Sequence, residues 1–492
     1  MQKAAIQKPR RNIAAIIAGP VMAVIVMLLA DIPAHPQAPA MLGLVLWMAI
    51  WWISECVPLA LTSLIPLMLF PLLGIATGKQ VAPNYMNNVI FLFLGGFLIA
   101  QAMQTSRLHH RIAINMLSRW HAGPLQLAIG FSLATAFLSM WISNTATTML
   151  MVTIALPVLH RILKEQGEKE AGPMVAIFLL VIAYSANIGG VGTPVGSPPN
   201  LVFMEIVQQQ APAFAPSFLQ WMMLGIPFVA AGLLVLFVVL NGKLRKLPWH
   251  SSSAATIASE RDALGSMRRE EKMVASVLTI TALLWMTRKG IPMQDFSIPG
   301  WSSLLPYPGV DDGTVAILGA ATLFLLRGAD SKPILDGTAF GRLPWDIVIL
   351  FGGGFALAFG MGHSGLSHWI GSQLGFLQGI PLPLMLLAIA LAITFLTEVT
   401  SNTAITLVML PILAAAALGN QIDPLLVMLP ATIAASCAFM LPVATPPNAI
   451  VFGTHHIPMQ TMVKNGIRLN LIMAVVLVAI VYFLRPLLPG AM

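Results

Sequence analysis

Two stretches decide how this chain is read: Phe137–Leu150, FLSMWISNTATTML, and Phe395–Val408, FLTEVTSNTAITLV. Each is apolar at both ends and carries Ser-Asn-Thr at its centre. Side chains that need hydrogen bonds thus stand twice in surroundings that suit hydrocarbon. A lone Ser-Asn-Thr in an apolar segment most often joins neighbouring helices. Two copies at matched places ask for a shared purpose.

The surroundings come first. Of 492 residues, 57% are hydrophobic and 9% charged, and the mean hydropathy is +0.84. Soluble domains carry about 25% charged residues, so the chain reads as an all-α polytopic membrane protein. Cys56 and Cys437 lie in apolar sequence without metal spacing, which points to neither a disulfide framework nor a metal site. Basic residues (Lys3, Lys8, Arg10, Arg11) precede an apolar run with no small-residue cleavage pattern. That run reads as a first membrane helix rather than a removed signal peptide.

Apolar windows place eleven spans near 13–30, 40–54, 56–74, 88–106, 174–206, 217–240, 273–287, 312–326, 345–362, 424–452 and 467–485. The two Ser-Asn-Thr regions, 126–159 and 383–415, either cross the membrane or enter and leave on one side. The basic residues decide. With both regions re-entrant and the N-terminus cytoplasmic, 22 of the 26 Lys and Arg fall in cytoplasmic segments. Only Lys79, Arg288, Lys289 and Arg485 remain outside, as the positive-inside rule requires. The C-terminus is then external and the location the inner (cytoplasmic) cell membrane. Orientation accounts for the net charge of +8, so nucleic acid is excluded as a partner. The stretch 241–272 reads as a cytoplasmic linker with a surface helix.

The two halves repeat. Gly95 and Gly353, Ser139 and Thr397, and Ser143 and Ser401 all differ by 258 positions. Further on, Pro-Pro-Asn recurs in GTPVGSPPN (192–200) and ATPPN (444–448) at an offset of 248. By the charge pattern the first hairpin opens to the cytoplasm and the second outward, an inverted repeat. Interrupted apolar segments at matching places in inverted halves point to a transporter's binding site.

Each interruption frees backbone groups that hydrocarbon cannot satisfy. Helix N-termini suit anions, and unwound carbonyls and hydroxyls suit small cations. No Lys or Arg lies in the Ser-Asn-Thr regions or in the Gly/Pro breaks 189–199 and 441–447. An anion there depends on hydroxyls, Asn amides, helix dipoles and bound cations. Ser139 and Thr397 stand one helical turn before the motif serines and are candidate cation ligands. Glu55 and Glu398 read as buried acids, with helix-end packing or hairpin support favoured over a proton relay. His109, His110, His455 and His456 read as interfacial. No Asp or His pair inside a span supports a membrane-embedded enzyme, and a transporter is expected rather than an enzyme.

With these residues assembled, the chain resembles the divalent anion/sodium symporter (DASS) family over nearly its whole length. The resemblance rests on both Ser-Asn-Thr motifs, GGVGTPVGSPPN, LPVATPPNAIVFG and WWISECVPLALTSLIPL. It implies eleven transmembrane helices, two re-entrant helical hairpins, a homodimer, and a transport domain that slides against a scaffold as an elevator. The divisions become 1–125, scaffold; 126–215, first transport half; 216–382, scaffold with the linker; 383–456, second transport half; and 457–492, the last helix. One sodium site would use Ser139, Ser143, Asn144 and backbone around Gly192. The other would use Thr397, Ser401, Asn402 and backbone around Ala444. A dianion would touch Asn144, Thr145, Asn402, Thr403, Thr445 and Pro446, with Ser197, where the family commonly has threonine, in the loop beside them. The implied activity is sodium-coupled symport of C4-dicarboxylates such as succinate, malate or fumarate, with Na+ as coupling ion. Citrate or sulfate carriage, or dicarboxylate exchange, are alternatives on the same fold.

Overall fold

A computed structural model describes residues 13–487 except 34, 121–122, 245–251, 293–296, 308, 330 and 376–378. The expected cytoplasmic residues Lys3, Lys8, Arg10 and Arg11, and part of the linker, lie outside the described residues. Most of the described residues are helical; strand pairing among them is confined to Ile291–Pro292 with Ser297–Ile298 and a single bridge between Arg327 and Pro333. Seven described helices are long and apolar enough to cross a membrane, and seven more apolar helices of 10–17 residues accompany them. The chain is a multi-pass membrane protein.

Both Ser-Asn-Thr motifs sit at helix-turn-helix bends. The first hairpin joins Pro124–Ser139 to Asn144–Gln166, the second Leu382–Thr397 to Asn402–Gly419. Each motif serine is an N-cap: Ser143 Oγ accepts the Ala146 N–H and Ser401 Oγ accepts the Ala404 N–H. That satisfies one orphan donor of the second arm and fixes where the new helix begins. Both expected spans that carry Gly/Pro breaks are split. One runs Glu168–Gly189 then Pro198–Gln210, the other Pro424–Ala435 then Pro446–Phe452. Proline at the first turn of each second piece restarts the helix where no N–H partner is needed.

The hairpins open on opposite faces. The last helix, Met459–Leu484, has 26 residues, a length of about 39 Å at 1.5 Å per residue. At its start His456 meets His160 on the first hairpin's second arm. At its end Arg485 pairs with Asp423, just beyond the second hairpin. Close packing sets the arms: a Cβ on Gly189 would lie 2.4 Å from the Ala136 carbonyl oxygen. Only glycine lets the first split helix approach the first hairpin this closely.

Three features differ from the sequence reading. The span expected at 56–74 is broken into Leu59–Thr62 and Ile65–Leu72. Pro66 has no N–H for the Thr62 carbonyl, and the Ser63 carbonyl at the bend accepts the Tyr85 hydroxyl at 2.5 Å. Two short helices, Leu108–Leu117 and Leu366–Gln373, were not expected. Glu55 is exposed rather than buried, at φ 47° where Ala38–Ser54 ends.

The described part of the linker contains the expected surface helix, Ser252–Ala263. Arg111 holds the segment after it, donating to the carbonyls of Leu264, Gly265 and Ser266 and to Glu271 Oε2 at 3.1 Å. Burial works against a charge on Glu271, but the Arg111 hydrogen bond, the Arg268 N–H and both guanidinium charges outweigh it and hold the carboxyl below its usual range.

Gly189→Val should cost about 1–3 kcal/mol through overpacking. It should lower the melting temperature of the detergent-solubilised protein, and an unchanged temperature would contradict the close approach.

Candidate functional site

The two hairpin tips and the two helix breaks meet around one cavity of about 570 Å³. From the hairpins come Ser143, Asn144, Thr145, Ser401, Asn402 and Thr403; from the breaks come Ser197, Ala444, Thr445 and Pro446. Four helices begin at its wall, at Asn144, Pro198, Asn402 and Pro446, three of them 13 residues or longer. Helix N-termini carry partial positive charge and unused N–H groups. Among the described residues no Lys, Arg or His lines the cavity, and Glu55 is the only ionisable one on its wall. The wall therefore favours an anion through dipoles and amides alone.

Ser139 and Thr397 do not line the cavity; both are fully buried behind the tips. Ser139 Oγ lies 2.6 Å from Asn144 Oδ1 and 2.8 Å from the Ala186 carbonyl oxygen. Thr397 Oγ1 lies 2.5 Å from Asn402 Oδ1 and 3.1 Å from the Ala435 carbonyl oxygen. Each hydroxyl has one hydrogen to give, so two acceptors compete for it. In both places three oxygens gather round a single proton. Small hard cations prefer all-oxygen surroundings of this sort, so the residues present fit a sodium ion.

The breaks are held by asparagines that the sequence reading did not single out. Asn200 Nδ2 donates to the carbonyls of Gly190 and Thr193 at 2.9 and 2.8 Å. Asn448 Nδ2 donates to those of Ala438 and Leu441, both at 3.0 Å. All three residues of each set differ by 248 from their counterparts, the offset of the Pro-Pro-Asn motif. That offset was the signal that could have found them. The carbonyl of Val191 accepts the Trp221 N–H and that of Phe439 the Tyr184 hydroxyl.

The halves are also pinned to each other. Asn187 Nδ2 donates to Thr445 Oγ1 at 3.0 Å, and Ser197 Oγ stands 3.4 Å from Ser436 Oγ. Gly192, around which the backbone of one cation site is expected, is buried against Met140, and two residues earlier Gly190 lies against Asn144, where a Cβ would meet Oδ1 at 2.5 Å. Glu398 is buried, and its carboxylate accepts the N–H groups of Phe439, Met440 and Leu441 and the Asn470 amide. It holds the second break.

Asn200→Ala takes the amide donor from the Gly190 carbonyl and Asn448→Ala that from the Ala438 carbonyl, while Thr193 and Leu441 keep the Gly196 and Ala444 N–H groups. Each should cost about 1–3 kcal/mol, read as a lower melting temperature in detergent. Equal stability of both variants and the parent would show that the breaks are held by something else.

The family described as "Sodium:sulfate symporter transmembrane region" matches residues 10–488. The sodium-dependent dicarboxylate transporter SdcS of Staphylococcus saprophyticus is 39% identical over 461 residues, covering 90% of this chain and 86% of that protein. SdcS of Staphylococcus aureus strain USA300 is 38% identical over 473 residues, covering 93% and 88%. Among solved structures, the Alcanivorax borkumensis YdaH transporter has the same overall fold, with a TM-score of 0.61 over 97% of this chain and 98% of that one at 13% identity. With the matched family spanning almost every residue and two transporters sharing more than a third of its sequence, this chain belongs to the sodium:sulfate symporter family of membrane transporters.

Proposed function

We propose that the chain is a sodium-coupled symporter of C4-dicarboxylates. The observation that carries this is the cavity itself: four helix N-termini and two Asn-Thr tips converge on it with no basic side chain. Each tip is backed by a cluster of oxygens suited to a cation. Relatives with 38–39% identity bear the name sodium-dependent dicarboxylate transporter.

The site's two halves are copies, so it offers two equivalent sets of amide and hydroxyl groups. A linear dicarboxylate has two equivalent ends. One carboxylate sits at Asn144 and Thr145, the other at Asn402 and Thr403, with Thr445 and Pro446 beside them. One sodium ion is held by Ser139, Asn144 and the Ala186 carbonyl, the other by Thr397, Asn402 and the Ala435 carbonyl. Asn144 and Asn402 each belong to both a cation set and the anion wall. Cation binding orients the amide, and the oriented amide then receives the carboxylate. This shared residue couples the two loads.

With the N-terminus cytoplasmic, Ile53, Ser54, Glu55, Pro344 and Ile347, all on the cavity wall, fall at cytoplasmic helix ends. The cavity therefore faces inward in this state. The hairpins and split helices move as a transport domain against a scaffold that forms a homodimer, carrying the site across the inner membrane. Two sodium ions neutralise a dianion. A third makes the cycle electrogenic, worth about 2.3 kcal/mol per 100 mV for one net charge moved.

Asn144→Ala and Asn402→Ala should each abolish succinate uptake driven by a sodium gradient in proteoliposomes, while still inserting and melting cooperatively. Normal uptake by either variant would overturn the site. In the parent protein, malate and fumarate should compete with succinate more strongly than sulfate or citrate. Uptake unaffected by removing the sodium gradient would point to exchange instead.

A further inference from the structure

We propose that His160 and His456 form a two-histidine site for a divalent transition-metal ion of the zinc class. His160 lies on the second arm of the first hairpin and His456 in the loop after Pro446–Phe452, 296 residues further along the chain. Their Nε2 atoms stand 3.4 Å apart, and the ring centroids 5.5 Å apart at 66°. The centroids are farther apart than the nitrogens, so the facing edges of the two rings are their Nε2 atoms.

The spacing suits a metal better than a shared proton. An N–H donor and its acceptor usually sit about 2.9–3.0 Å apart. Two bonds of about 2.0–2.1 Å at a tetrahedral metal place their nitrogens about 3.3–3.4 Å apart. The neighbouring backbone supports the arrangement. His455 has φ 62°, a left-handed conformation uncommon for a residue with a side chain, and the bend there leads into His456. Arg161, next to His160, is engaged by Glu165 at 3.1 Å, which offsets its repulsion of a cation. His160 is exposed and His456 half-buried, so an ion can reach both.

No cluster of three His, Cys, Asp or Glu that could hold a metal occurs among the described residues. Water completes the coordination, so the ion is exchangeable and modulates the protein rather than holding it folded. Its effect follows from position. The helix bearing His160 begins at Asn144, and the short helix before His456 begins at Pro446; both starts line the cavity. Both histidines belong to the transport domain, so an ion bridging them fastens the open end of the first hairpin to the loop after Pro446–Phe452 and restrains the two halves from shifting against each other as the site loads and empties. Binding stands independently of the transport reading; inhibition rests on it.

The test is zinc titration of the purified full chain in detergent against a competing fluorescent chelator. The parent should bind one ion that magnesium does not displace. His160→Ala and His456→Ala should each weaken binding at least about tenfold, while His109→Ala stays at the parent value. Equal affinity in parent, His160→Ala and His456→Ala, or no binding by a parent that melts cooperatively, overturns the site. In proteoliposomes, zinc should slow succinate uptake by the parent and not by His160→Ala. Zinc bound at the pair without any effect on uptake refutes the locking step and leaves the binding site standing.

Discussion

A backbone carbonyl freed inside a membrane must find a donor, and the architecture here is arranged around that need. Each unsatisfied group in hydrocarbon costs several kcal/mol, yet two helices are broken at the centre of the molecule. Asn200 and Asn448 each bind two of the freed carbonyls. Trp221 and Tyr184 each take one more from neighbouring helices. With these carbonyls already bonded, the helices can restart at the cavity wall, at Pro198 and Pro446, and turn the positive ends of their dipoles to it. The satisfied breaks make the anion-facing wall possible.

The two halves share the asparagine ties but differ in what packs beneath each break. Position 398 is a buried glutamate that accepts three backbone N–H groups of the second break. Its counterpart 258 residues earlier is Met140, which packs against Gly192. The second break is therefore held by a buried carboxylate and the first by apolar contact together with the Thr193 hydroxyl, which donates to the Met140 carbonyl at 2.6 Å.

Much of this was legible in the sequence because the repeat carries its own spacing. The 258 offset located both tips, and proline followed by asparagine located both restarts. Pairings across the halves were not legible. Asn187 with Thr445 and Ser197 with Ser436 join residues more than 230 positions apart, and no local pattern announces them. The depth of Ser139 and Thr397 was hidden for a similar reason. Helical periodicity puts them on the face of the motif serine, but the neighbouring split helix decides whether that face meets the cavity or the core. Glu55 was misread because its apolar neighbours suggested burial, whereas the helix ends there and its left-handed backbone turns it onto the cavity wall. The amphipathic helix Leu108–Leu117 was missed because it is too short and too polar to register as a span.

The missing lysine or arginine is itself a means of coupling. A helix N-terminus is equivalent to roughly half a positive charge. Three long helices and one short one therefore offer a dianion less than full compensation. A fixed guanidinium at the tips would close that gap permanently and hold the anion whether or not a cation was present. With only dipoles, amides and hydroxyls on the wall, the remaining compensation has to come from ions that arrive and leave. In the proposed site Asn144 and Asn402 stand where the two loads would meet, each within hydrogen-bond reach of a buried hydroxyl on one side and on the cavity wall on the other. An anion that needs its counter-ions in order to stay bound is carried only with them.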